Sequence, residues 1–209
     1  MTDPIVVVRG LGVELGGVPV LRDVCLAAAR GDVVAVVGPN GVGKSTLLRC
    51  LAGLRSPEEG ELAVLGGPPV DEPSFWRDVV LVGDEPAWYP GLTVEEHLEL
   101  MRAVHGSVRL EAAAALEAFG LVERRDRVPL TLSTGQRQRL SLAMGLLRPS
   151  RLLLLDEPER GLDATFRERL AAMLAEYARD GGTVVMATHD QRFAEAAGAR
   201  IVTMTEVPA

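Results

Sequence analysis

The segment Gly38-Pro39-Asn40-Gly41-Val42-Gly43-Lys44-Ser45 follows a β-branched run, Asp32–Val37, and precedes leucines at helical spacing, Leu47, Leu48, Leu51 and Leu54. A buried strand, a glycine-rich turn and an amphipathic helix in that order leave few folds open. The glycines let backbone N–H groups turn inward, and the helix adds the positive end of its dipole at the same point. Every fixed position of G-x-x-x-x-G-K-[ST] is met, so the loop is expected to cradle phosphates. Lys44 is the only lysine among 22 basic residues, the rest being arginines. Its compact charge on a flexible stem can reach β- and γ-phosphates where a planar guanidinium does not fit. Ser45 offers a hydroxyl to Mg²⁺, and Thr46 can hydrogen-bond a phosphate. Gly38, Pro39, Asn40, Gly41, Val42, Gly43, Lys44, Ser45 and Thr46 are therefore the candidate nucleotide-binding residues.

Further along, short apolar strands alternate with helices, which implies a largely parallel α/β sheet. Residues 5–37 read as short strands with a turn at Gly16-Gly17, and Glu61–Leu65, Val79–Val82, Arg151–Leu155 and Thr183–Ala187 read as further strands. Residues 93–148 read mainly as helix, so a helical subdomain at about 85–148 is expected inside one domain spanning 1–209. Leu152-Leu153-Leu154-Leu155 ends in Asp156-Glu157, and the carboxyl ends of parallel strands line the ligand crevice. Asp156 can hold magnesium, and Glu157 can take a proton from attacking water; a charged exit from a buried strand is the plainer alternative.

Net charge is −7, which argues against nucleic acid as the partner. No apolar run reaches the ~20 residues that span a bilayer, and the N-terminus lacks the basic region of a secretory signal. Cys25 and Cys50 suit a reducing compartment as small buried side chains.

Two more stretches complete the pattern: Leu132-Ser133-Thr134-Gly135-Gln136-Arg137-Gln138-Arg139 before the Asp-Glu strand, and Ala187-Thr188-His189-Asp190 after it. With them the chain resembles the nucleotide-binding subunits of ABC transporters over nearly its whole length. The resemblance implies a P-loop NTPase core with an N-terminal antiparallel β subdomain and an inserted helical subdomain. It implies ATP and Mg²⁺ as cofactors, Glu157 as general base, and His189 as the residue joining γ-phosphate to attacking water. It also implies that Ser133, Thr134, Gly135 and Gln136 meet the nucleotide of a second ATPase subunit, homo- or heterodimeric, with Asp163 linking the two sites. A separate transmembrane permease subunit would then hold the chain peripherally on the cytoplasmic face of the membrane. The segment 86–98 and the C-terminal part look most like ABC-2-type exporters, including small haem-exporter ATPases, with importers still open. A soluble regulatory ATPase that switches a protein partner is the alternative. A small-molecule kinase is disfavoured by Ser133–Gln136 and His189.

Three positions depart from the family. No Phe, Tyr, Trp or His precedes Phe75, so the aromatic platform for adenine is missing and Leu15 stands in its place. Modest ATP affinity and little preference over GTP are expected. The first glutamine is Gln136, so the usual glutamine ahead of the signature is absent; Asp84 is expected there, as a metal ligand or as a plain loop residue. Thr134 replaces the first glycine of the signature pair. Trp88 and Tyr89 either face a partner or pack into the helical part.

Overall fold

A run of four leucines with no polar interruption has to be covered on both faces. The computed structural model describes residues 4–83, 88–106 and 108–205. In it this run is the core of a five-stranded parallel sheet. Its strands, in spatial order, are β5 (Val79–Val82), β6 (Leu152–Asp156), β7 (Thr183–Thr188), β3 (Val33–Val37) and β8 (Arg200–Thr203). Alternation divides the strands between two cores. Val33, Ala35, Leu153, Leu155, Val184 and Met186 face one of them. Val34, Val36, Leu152, Leu154, Val185 and Ala187 face the other. All four leucines are fully buried, and each contributes roughly 1.5–3 kcal/mol by leaving water.

The first core is closed by α3 (Val94–His105), α4 (Ala112–Ala118), α5 (Thr134–Leu147) and α6 (Ala164–Arg179). The second lies under α1 (Lys44–Leu51) and a three-stranded antiparallel sheet. That sheet has β1 (Pro4–Leu15) between β2 (Val18–Ala29) and β4 (Glu59–Val64). The fold is thus the expected α/β core with an antiparallel N-terminal sheet, and α3, α4 and α5 lie between β5 and β6 in the chain. No helix among the described residues is long and apolar enough to cross a membrane.

Several expectations need correction. Ahead of β3, which is short as expected, the region 5–37 holds two strands of 12 residues each, not short ones. Register shifts at Val8/Leu11, Leu11/Val13 and Val13/Glu14 break the alternation by which long strands are recognised. The helix after the loop ends at Leu51, so Leu54 is exposed instead of sharing the apolar face. Gly53 turns the chain there at φ 74°, a conformation open to glycine. Only Cys50 is buried; Cys25 is exposed and accepts the Gly10 N–H. Burial pushes the Cys50 thiol up to about 11, so it is an inert packing group. The short helices α2 (Pro73–Asp78) and α7 (Gln191–Ala196) and the strand β8 carry too few residues for a periodic signal.

Of Trp88 and Tyr89, the first takes the packed reading. Trp88 packs against the helical core with its ring edge-on to buried His97, at 5.7 Å between centroids, whereas Tyr89 is exposed. His97 is structural. Its Nε2 accepts the Tyr89 N–H at 3.1 Å, which leaves Nδ1 to donate to the Thr93 carbonyl at 2.7 Å.

Candidate active site

Sheet register assembles the site. Val37 pairs with Thr188, and Asp156 pairs with Ala187, so β3, β7 and β6 end in one rank. Whatever follows each strand therefore meets at the same edge: the loop 38–43, His189 and Glu157. A cleft of about 600 Å³ opens there, lined by Asn40, Gly41, Gly43, Lys44, Ser45 and Thr46 from the loop and α1. Asp156, Glu157 and Arg160 line it from the end of β6, and Leu15 and Val20 from the antiparallel sheet.

The start of α1 is open. Helices α3, α5, α6 and α7 are closed by side chains of Thr93, Ser133, Asp163 and Asp190, whereas α1, like α2 and α4, has no side-chain cap, and of these three only α1 opens onto the cleft. Its first N–H groups are left for an anion. Gly43 begins it at φ 98°, and a Cβ there would lie 2.4 Å from Leu21. At Gly38 an added Cβ would lie 2.6 Å from the Met204 carbonyl oxygen. Close backbone packing thus requires glycine at position 38, and the positive φ requires it at position 43.

Lys44 is buried, and its Nζ donates to the carbonyls of Gly38 at 2.7 Å and Pro39 at 2.9 Å. The ammonium is held across the mouth of the loop. The Val42 side chain is buried in the second core, which leaves its backbone for a ligand, the group expected of the loop.

Glu157 has φ 46°, one of three non-glycine residues with positive φ among those described. Such a conformation costs of order 1–3 kcal/mol and persists where surroundings impose it. Here the Glu157 N–H donates to the Ala187 carbonyl at 2.9 Å, and the kink carries the carboxylate into the cleft. His189 does not line the cleft. It lies beside Glu157, with Nδ1 3.5 Å from Glu157 Oε1 and 3.8 Å from Glu159 Oε1.

The signature residues start α5. Ser133 and Gln136 form a reciprocal capping box, in which Ser133 Oγ accepts the Gln136 N–H and Gln136 Oε1 accepts the Ser133 N–H. Gly135 has a reason for its identity inside one chain, since a Cβ there would lie 2.5 Å from the Gly161 carbonyl oxygen. Thr134 accepts from Arg137 at 3.4 Å. Gln138 donates to the Pro158 carbonyl at 3.2 Å, and Arg139 pairs with Asp163 at 2.5 Å. The signature helix is therefore tied to the segment that follows Glu157. The Phe166 N–H, and secondarily Arg139, hold the Asp163 carboxyl below its usual range. Asp84 lies outside the described residues. Two residues of this region escaped sequence reasoning: Arg160, on the cleft wall, and Glu159, buried beneath it.

A protein-family model described as ABC transporter matches residues 21–160. The chain belongs to this family. It is 40% identical over 95% of its length to an aliphatic sulfonates import ATP-binding protein of Pseudomonas savastanoi pv. phaseolicola, covering 72% of that protein. It is 38% identical to a cytochrome c biogenesis ATP-binding export protein of Cupriavidus metallidurans, over 94% of this chain and 95% of that one. Among solved structures, an ATP-binding subunit of an ABC transporter aligns with TM-score 0.84 and 29% identity over 96% of this chain and 85% of the other. A dimeric ATP-binding cassette in a post-hydrolysis state, bound to ADP and Pi, aligns with TM-score 0.83 and 26% identity over 96% of this chain and 94% of the other. As an ABC family member of this type the chain is an ATP-binding subunit and an ATPase.

Proposed function

We propose that the chain binds ATP in the cleft at Gly38–Thr46 and hydrolyses it to drive transport through a separate membrane subunit, working beside a second ATPase subunit. The observation that carries this reading is the uncapped start of α1, with Lys44 across it and the Asp156–Glu157 pair on the opposite wall. In it, the loop N–H groups and Lys44 bind the phosphates. Glu157 accepts a proton from the attacking water, and His189, beside it, joins γ-phosphate to that water. Ser45 and Asp156 bring a hydroxyl and a carboxylate, both hard oxygen donors, to one cleft, and this set fits Mg²⁺. The ion would supply charge neutralisation at the phosphate oxygens.

Ser133, Thr134, Gly135 and Gln136 at the start of α5 take the role of completing the cleft of the second subunit, and Asp163 couples the two. The whole of 1–209 acts as one ATPase domain with its helical part at about 85–148. The chain sits on the cytoplasmic face of a membrane by way of its partner. For direction we carry forward export, the sense of the cytochrome c biogenesis relative, while the sulfonate relative is named for import.

Affinity capture of the chain from detergent-solubilised membranes tests this reading. A multi-span membrane protein is expected in fixed ratio, with ATP hydrolysis in the captured complex. A soluble protein in fixed ratio, without any membrane protein, would instead support a regulatory ATPase.

A further inference from the structure

One buried carboxylate has no part in the reading above. Glu159 is 2% exposed, and its Oε2 has no hydrogen-bond partner. A buried acidic group with an orphaned oxygen is costly and calls for a physical reason. Its surroundings are specific. Oε1 accepts the hydroxyl of Thr188, itself fully buried at the end of β7. The same hydroxyl oxygen accepts the Asp190 N–H at 2.9 Å, and Asp190 caps α7. The backbone of His189 is thus fixed on both sides, by Thr188 and by Asp190. Its ring then has Nδ1 turned toward two carboxylates, Glu157 at 3.5 Å and Glu159 at 3.8 Å.

We propose that Glu159 is a positioning residue for ATP hydrolysis, which with Thr188 holds the His189 imidazole so that Nδ1 carries its proton toward the two carboxylates and Nε2 faces outward. Which ring nitrogen bears the proton is set by what the other side of the ring meets. Two carboxylate oxygens at one edge favour an N–H there. Nε2 is then left to present its lone pair on the exposed side of the ring. Without Glu159 the ring has Glu157 alone to orient it, and that pairing would draw on the carboxylate needed for the water. A second carboxylate relieves Glu157 of this task. Burial pushes the Glu159 carboxyl above its usual range, while the Thr188 hydroxyl, the Glu159 backbone N–H and His189 act in the opposite direction. Thr188 and His189, the residues it is proposed to position, thus act against the burial of the carboxylate, which joins its state to the ring of His189.

This inference rests on the ATPase reading of the cleft, and the test separates the two. Glu159→Gln keeps an oxygen to accept from Thr188 and removes the negative charge. Turnover is expected to fall about tenfold, with KM for ATP and equilibrium nucleotide affinity changed less than about twofold, as befits loss of one oriented group in general acid–base chemistry. Histidine ring ¹⁵N spectra of the wild-type chain above the histidine titration range are expected to show His189 as the Nδ1–H tautomer. In Glu159→Gln the same resonance is expected to shift toward the Nε2–H form that free histidine favours. An Nε2–H tautomer in the wild-type chain overturns the proposal whether or not the variant folds. So does a folded Glu159→Gln chain with unchanged turnover, and the ATPase reading then stands. A wild-type chain that binds ATP but never hydrolyses it, alone or in the captured complex, overturns that reading instead.

Discussion

Replacing Glu157 with glutamine is expected to lower ATP turnover by about 10²- to 10⁴-fold, the usual contribution of a general base, while leaving ATP bound. Glutamine has the same shape, and its side chain can still occupy the kink at φ 46° and point into the cleft. It cannot accept a proton from water at neutral pH. The change therefore removes the chemistry and spares the site. A truncation to alanine would confuse these effects, because it also frees a backbone held in a strained conformation by the Ala187 carbonyl. Phosphate release under single-turnover conditions, with nucleotide retention measured on the same sample, separates binding from cleavage. Retained ATP without phosphate release is the expected pair of results.

Lys44→Ala is expected to abolish measurable nucleotide binding, not only hydrolysis. The ammonium makes two hydrogen bonds to loop carbonyls, to Gly38 and Pro39, and sits where phosphate oxygens would arrive. Hydrogen bonds to charged groups contribute about 1.5–3 kcal/mol each. Loss of two to phosphate would weaken binding by a hundredfold or more at about 1.4 kcal/mol per decade. The rest of the cleft offers little to compensate, since Leu15 and Val20 are what the antiparallel sheet brings to its wall. Titration with a fluorescent ATP analogue checks this. Circular dichroism of the same variant verifies the fold, because Lys44 also ties the loop to itself.

Much of the site was legible because its parts are local in sequence. Strand, loop and α1 are contiguous from Val33 to Leu51, and the four leucines before Asp156 announce a strand covered on both faces. What escaped depends on register between distant strands. Glu159 follows the end of β6 by three positions and reads in sequence as an exposed loop acid. It is buried because parallel pairing of Asp156 with Ala187 brings Thr188 and His189 alongside it. Arg160, the next residue, lines the cleft. For Gly135 the sequence suggests a close approach to a second subunit's nucleotide, but a reason within one chain was not legible: the carbonyl of Gly161, twenty-six residues away, excludes a side chain there. The lengths of β1 and β2 were hidden by register shifts, which displace the alternation that marks a strand.

Affinity in this cleft is expected to come from the phosphates, with little from the base. Exposed Leu15 offers an aliphatic wall where stacking on an aromatic ring would contribute roughly 1–3 kcal/mol. Calorimetric titration of the wild-type chain with ATP, GTP and adenosine in the presence of magnesium tests this most directly. ATP and GTP are expected to bind within about tenfold of each other, and adenosine to give no measurable heat. Adenosine binding as tightly as ATP, or GTP a hundredfold weaker, would contradict it.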